Sequence, residues 1–157
     1  MQRPDGDRAA ETRDETAGAA AARHAPATID EVIDALGEVV EGARRRGDRL
    51  GLFAALYRRT TEGVRDGIRQ GRFDDPARME RLDVVFAERY FGAYHAHRRG
   101  ETPPGPWRYA FARAAEDDHL ALQHLLLGVN AHIALDLGVS ACATCGRGAL
   151  HALEHDF

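Results

Sequence analysis

From Asp117 to Gly138 the chain reads DDHLALQHLLLGVNAHIALDLG, its most apolar stretch, yet Gln123, His124, Asn130, His132 and Asp136 are spaced through it. Asn130 is the only asparagine in the sequence. Leu120 to Leu137 is long enough to suggest a membrane span, but the His, Asn and Asp within it point instead to a helix buried on most sides. A polar group buried without a partner costs on the order of 1–3 kcal/mol, against a total stability of about 5–15 kcal/mol. These side chains therefore need partners: each other, a neighbouring helix, water, a metal or a ligand.

A helical wheel at about 100° per residue sorts them. His119, Gln123 and Asn130 fall in one band about 40° wide, and Asp118, His132 and Asp136 in a second. His124 lies on neither. His132 and Asp136 are i and i+4, so their side chains meet on one surface. His-x-x-x-Asp can supply two ligands to one divalent metal, zinc or iron. The same spacing also makes an ordinary hydrogen bond, in which the carboxylate orients the imidazole.

An earlier helix offers a partner. Met79, Leu82, Phe86, Tyr90, Ala93 and His97 define its apolar face, and Asp83 falls inside it. A carboxylate there is either paired or has its pKa raised by desolvation. If Asp83 faces either polar row, the bundle interior holds a carboxylate–imidazole cluster; the bland alternative is a hydrogen bond to Tyr, Trp or a helix end. The candidate site is thus Asp83, His119, His124, Asn130, His132 and Asp136, with His132 and Asp136 as the metal-ligating pair.

Other patterns carry less. Glu116-x-x-His119 occurs once, whereas carboxylate-bridged di-iron bundles use two such motifs and two further glutamates. Cys142-x-x-Cys145 followed by His151 and His155 has the ligand types of a tetrahedral zinc site, but its inner gap is far shorter than in ordinary fingers. His95 and His97 point to nearly opposite sides of a helix and do not chelate. Thr60, placed on the core face of its helix, bonds back to its own backbone.

Composition removes several function classes. All 21 basic residues besides histidine are arginine, so there is no Schiff-base lysine and no Walker-type phosphate lysine. Ser140 is the only serine and lacks a G-x-S-x-G setting, which argues against a serine hydrolase. The formal net charge of −4 gives no general attraction to nucleic acid; Arg44, Arg45, Arg46 and Arg49 read as a solvated helix end. Two cysteines and no apolar leader suggest a reducing, cytoplasmic setting, and the Ala/Arg/Gly bias suggests a bacterial source.

Residues 1–27 lack large apolar side chains after Met1 and read as a disordered leader. One helical domain over 28–157 follows. Thr28 with Glu31 forms a capping box opening the first helix, which carries Ile29, Val32, Ile33, Leu36, Val39, Val40 and Ala43 and ends near Gly47. A second runs from about Asp48 to Gln70 with Phe53, Leu56, Tyr57, Thr60, Val64 and Ile68 on one face. The Asp75-Pro76 cap opens a third, which reaches about Arg99. A short helix from near Pro106 carries Trp107 and Phe111, the long polar-studded helix follows, and a last one starts near Gly148. HALEHDF has no cap or polar tail and reads as an element cut short. The fold class is all-α, a bundle of about five to six helices.

At FDDPARMERLDVVFAERYFGAYHAH and LQHLLLGVNAHIALDLG the chain resembles an uncharacterised all-helical family, domain of unknown function 5995, over about Thr28 to Phe157. The most specific part is Gly128-x-Asn130-Ala131-His132-Ile133-x-x-Asp136, supported by Leu82-Asp83 and Trp107. Members of that family tend to continue into a further helix, and the Cys142/Cys145 pair is not a family feature. The resemblance implies a helical fold and a central role for the polar helix, and supplies no activity. Two functional readings follow. In one, the interior is a site for a small-molecule ligand, with a divalent metal activating water or a histidine acting as general base oriented by Asp136. In the other, the polar rows only fix helix packing in a structural or partner-binding module, with a homodimer as one form of it and no nucleic-acid or membrane partner.

Overall fold

Helix-initiating and helix-stopping residues act where local chemistry places them. In a computed structural model that describes residues 25–115 and 120–145, Thr28 accepts a hydrogen bond from the Glu31 backbone and opens α1 (Ile29–Arg46). The Glu31 carboxylate in turn accepts from the Ala27 N–H at 2.7 Å. Gly47, at φ 65°, ends α1 with the left-handed turn that glycine adopts without steric cost. Asp48 then accepts from the Leu50 N–H, and α2 spans Leu50–Arg69. Asp75 caps α3 (Pro76–Arg98) by accepting from Arg78 N–H at 2.9 Å, with Pro76 in the first turn. α4 covers Gly105–Ala114. The last rod begins with α5 (Ala121–Ala131), passes through a π-helical segment (His132–Leu137) and continues as α6 (Gly138–Cys145).

The result is an all-α bundle of five rods, with no strand among the described residues. The leader up to residue 24, the 116–119 segment with His119, and everything from residue 146 onward, including His151, His155 and the helix expected near Gly148, lie outside the described residues. The side chain of Cys145 does too.

α1 and α2 form a tight antiparallel pair, α5 lies across α2 and α4, and α3 packs on the π segment and α6. The main core joins Val32 and Leu36 of α1, Phe53, Ala54 and Tyr57 of α2, Ala87 and Tyr90 of α3, Trp107 of α4 and Ala131 of α5. A smaller cluster of Met79, Leu82 and Ala141 closes the α3–α6 junction. The expected α1 face is buried nearly as expected. On α2 the inward hydroxyl is Thr61, fully buried, whereas Thr60 is exposed and donates to the Leu56 carbonyl.

The long rod departs most from expectation. It is not buried on most sides: Ala121–Thr144 is long and apolar enough to cross a membrane by length and composition, and only 33% of its most apolar window is covered. Gly128 is where it comes closest to α2, and a β-carbon there would stand 2.5 Å from the Phe53 ring. That ring is held by Tyr57, Tyr90 and Trp107 and cannot yield cheaply. Gly128→Ala therefore destabilises the fold by about 1–3 kcal/mol through overpacking, despite alanine's better helix propensity. Gly63→Ala, with nothing within 4 Å, stabilises it by up to about 1 kcal/mol. Urea unfolding of both variants checks this pair, and a neutral Gly128→Ala would mean that Phe53 is free to move.

Candidate functional site

A carboxylate on an apolar helix needs donors, and Asp136 finds them on three segments. It is 1% exposed. The Trp107 indole N–H of α4 donates to Oδ2 at 2.8 Å, and Arg89 Nε of α3 donates to Oδ1 at 3.0 Å. His132 Nδ1, one turn back, lies 3.3 Å from Oδ2. The Arg89 side chain is 32% exposed, so it brings a countercharge from the surface to a carboxylate inside the bundle.

The backbone between His132 and Asp136 is π-helical. Such a turn closes i to i+5 hydrogen bonds and inserts one extra residue, so the 100° wheel fails across it. His132 is only 4% exposed, and its ring is stacked on Phe86 at 3.5 Å between centroids. The edge of Tyr57 lies at 4.4 Å, and Phe53 and Trp107 lie at 5.5 and 5.9 Å. Burial lowers the His132 pKa, opposed by the hydrogen bond and charge of Asp136. The imidazole is thus neutral near pH 7. Since the carboxylate can only accept, the proton sits on Nδ1 and Nε2 presents a lone pair to the interior. Among the described residues, Nε2 has no hydrogen-bond partner.

Other buried polar atoms near these helices also lack hydrogen-bond partners: Tyr57 Oη and Thr61 Oγ1 on α2, Asp83 Oδ2 on α3 and Ser140 Oγ on α6. Burial raises the Tyr57 pKa, and the charges of Asp83 and Asp136 raise it further, so Tyr57 links the two carboxylates electrostatically. Asp83 is 7% exposed. Burial, and then the Glu80 charge, pushes its carboxyl up to about 7.

The six expected site residues do not form one cluster. His132 and Asp136 meet as their spacing predicted. Asp83 is buried and perturbed by desolvation, but among the described residues it is not grouped with His132 and Asp136 closely enough for the three to hold one ion. His124 is buried beside a cavity of ≈ 20 Å³ bordered by Phe53 and Trp107, room for about one water molecule. Asn130 is exposed and so leaves the interior site; Gln123 is exposed as well and accepts from the Leu120 N–H. Polar residues in an apolar run are buried only where the run is covered nearly all round, and this rod is not. His119 lies outside the described residues.

The zinc or iron reading of His132 and Asp136 does not fit this geometry. Both Asp136 oxygens already accept from N–H donors, and the Arg89 guanidinium stands where a cation would be repelled. Among the described residues, no three His, Cys, Asp or Glu side chains are grouped to hold a metal. Arg89 is the partner the sequence reading passed over. It lies seven residues after Leu82, on the apolar face of α3, and an arginine there was a readable signal of a buried acid.

The sequence profile of a family of unknown function, DUF5995, matches residues 29–157. The chain belongs to that family. No curated protein and no solved structure matches it. The matched span opens at the first residue of α1 and includes Arg89, Trp107, His132 and Asp136, so the whole network lies within the DUF5995 region.

Asp83 gives the site a pH signature. A carboxyl whose folded pKa is near 7, against an ordinary 3.8, favours the fold while it is protonated. Its contribution is full below about pH 4 and is lost as pH rises towards about 7, a loss on the order of 4 kcal/mol. His132 acts in the opposite sense, because its lowered pKa costs stability as pH falls below the ordinary 6.5. The difference between the wild type and Asp83→Asn isolates the first effect. Chemical denaturation from pH 4 to pH 8 should show the wild type losing about 2–4 kcal/mol relative to the variant. A constant difference across that range would remove Asp83 from the buried, perturbed class.

Proposed function

We propose that this DUF5995 domain is a partner-binding helical module, and that its His132–Asp136 network fixes helix packing and register. The observation carrying this reading is Asp136 itself: 1% exposed, with both oxygens accepting from side chains of α3, α4 and the π segment. A reaction centre needs a group that faces a substrate, and these donors already occupy the carboxylate. The partner-binding half is supported by the other side of the same rod, where Leu122, Leu126 and Ile133 are 62%, 58% and 52% exposed.

Removing one member of a buried charged pair costs about 3–5 kcal/mol, because its partners are left without compensation. Asp136→Ala should therefore lower the unfolding free energy by roughly 3 kcal/mol, somewhat less than the full range permits because Arg89 can swing to solvent. Trp107→Phe should cost about 1–3 kcal/mol, since the charged acceptor loses its buried N–H donor. Neither stability should respond to added zinc, iron or manganese. Thermal and urea unfolding with and without each metal checks both statements. A wild type whose melting temperature rises with one equivalent of metal, together with an Asp136→Ala variant that keeps its stability but loses that response, would overturn the packing role.

A second reading is favoured by one observation, the buried Tyr57, Thr61, Asp83, His132 and Ser140 atoms that have no hydrogen-bond partner. Each such atom costs on the order of 1–3 kcal/mol. Together they suit a small polar ligand held in the bundle, with His132 Nε2 as the acceptor or general base. Thr61→Val and Ser140→Ala separate the readings. Under the packing role they leave stability unchanged or raise it, whereas a ligand site would lose a ligand-dependent rise in melting temperature.

A further inference from the structure

The outer face of α5 and the π segment is uncharged and largely apolar. No Asp, Glu or Arg occurs between Asp118 and Asp136. Facing outward are Leu122, Leu126 and Ile133, each more than half exposed, and the exposed amide of Asn130; Val129 and Leu137 are half-buried at the margin, and Val129 also packs against the main core. In sequence these positions are spaced 4, 3, 1, 3 and 4 residues apart, a pattern that reads the same in both directions. Its centre falls between Val129 and Asn130.

We infer that this face pairs with the same face of a second copy of the chain, antiparallel about a two-fold axis. The inference rests on reading the domain as a partner-binding module. A two-fold interface requires that residue i meet residue j while j meets i. About that centre Leu126 meets Ile133 and Leu122 meets Leu137, apolar against apolar, while Val129 meets Asn130. Asn130 falls beside the axis, where an amide that both donates and accepts can bond to its own copy. A single polar residue at the centre of an apolar seam is a recognised way to fix register and partner number.

Charge and area select this occupant. Glu116-Asp117-Asp118 immediately precede the rod in sequence. Parallel pairing would set two such acidic runs side by side, whereas antiparallel pairing parts them by roughly the 37 Å length of the rod. A second copy brings no unpaired charge onto the stripe, while an anionic membrane would meet the acidic run and a net charge of −4. Leu120, Leu122, Leu126, Ile133 and Val139 are 45–71% exposed. At on the order of 100 Å² each, they bury roughly 1,000 Å² in the pair, near the lower bound of a specific interface.

Sedimentation velocity of the full chain from about 1 to about 100 µM tests this, the range suited to an interface of that size. The expected result is a reversible monomer–dimer equilibrium, with Leu126→Arg or Ile133→Arg weakening association at least about tenfold at unchanged far-UV circular dichroism. In a Cys142→Ser, Cys145→Ser background, Asn130→Cys should form a disulfide-linked dimer under mild oxidation. That readout needs no charge on the stripe and survives if an arginine variant folds poorly. A wild type that stays monomeric overturns the pairing, whether residues 146–157 or phosphatidylcholine vesicles cover the face instead; vesicle co-sedimentation tells those two apart. A dimer indifferent to both arginine variants and not captured by Asn130→Cys overturns it as well. The module reading is judged separately by the Asp136→Ala unfolding experiment, so a monomeric chain with a destabilised Asp136→Ala variant rejects the pairing alone.

Discussion

The orientation of the last rod depends on the hydrogen bonds to Asp136, because it has apolar side chains on both sides and hydrophobicity alone does not choose its face. Its buried side carries His124, His132, Asp136 and Ser140 beside Ala131 and Ala141, with half-buried Leu127 and Leu135 packed on the core, and its exposed side carries Leu122, Leu126, Ile133 and Val139. An ordinary surface helix has the reverse arrangement, with its apolar stripe inward. Burial of apolar area is non-directional and would gain more from the outward leucines. What holds the polar side inward is a set of directional contacts: a tryptophan N–H, an arginine and a histidine converging on one carboxylate. Charge-assisted bonds of this kind are short and geometrically demanding, and they strengthen where the dielectric is low.

The surrounding aromatic core follows from that anchoring. Once Asp136 is fixed between Trp107 and Arg89, the π turn sets His132 against Phe86 and Tyr57, and these rings pack with Phe53 and Tyr90. Gly128 lets the rod approach Phe53 closely enough for this to happen. A larger residue there would lift α5 away from α2. The network and the close approach are therefore one device: the hydrogen bonds choose the face, and the glycine allows the contact that seals it from water.

How much of this was legible in the sequence varied with the kind of signal. Caps and turns act locally, so Thr28, Gly47, Asp75 and Pro76 marked helix ends correctly. The His132–Asp136 contact was readable because four-residue spacing brings side chains together even through a distorted turn. The buried Asp83 was readable from the apolar face around it. Asn130 was misplaced for a definite reason: polarity within an apolar run was taken to mean burial, when the run itself was largely exposed. Nothing in a helical wheel reports which side of such a run faces the protein. Arg89 and Trp107 could be placed on their own helices, but their convergence on Asp136 is a tertiary fact that no local pattern encodes.

An inverted helix of this kind carries a standing cost. Its outward leucines order water, and its inward polar groups must be desolvated. The inward cost is offset at Asp136 and only partly offset at His132 and Ser140, whose Nε2 and Oγ have no hydrogen-bond partner among the described residues. The outward cost is offset only if something covers the stripe. Leu122, Leu126 and Ile133 nonetheless stay outward while His124, His132 and Asp136 are buried. The arrangement makes physical sense when the outer face is itself an interior. The same rod then serves two contacts at once, hydrogen-bonded to its own bundle on one side and apolar towards a partner on the other.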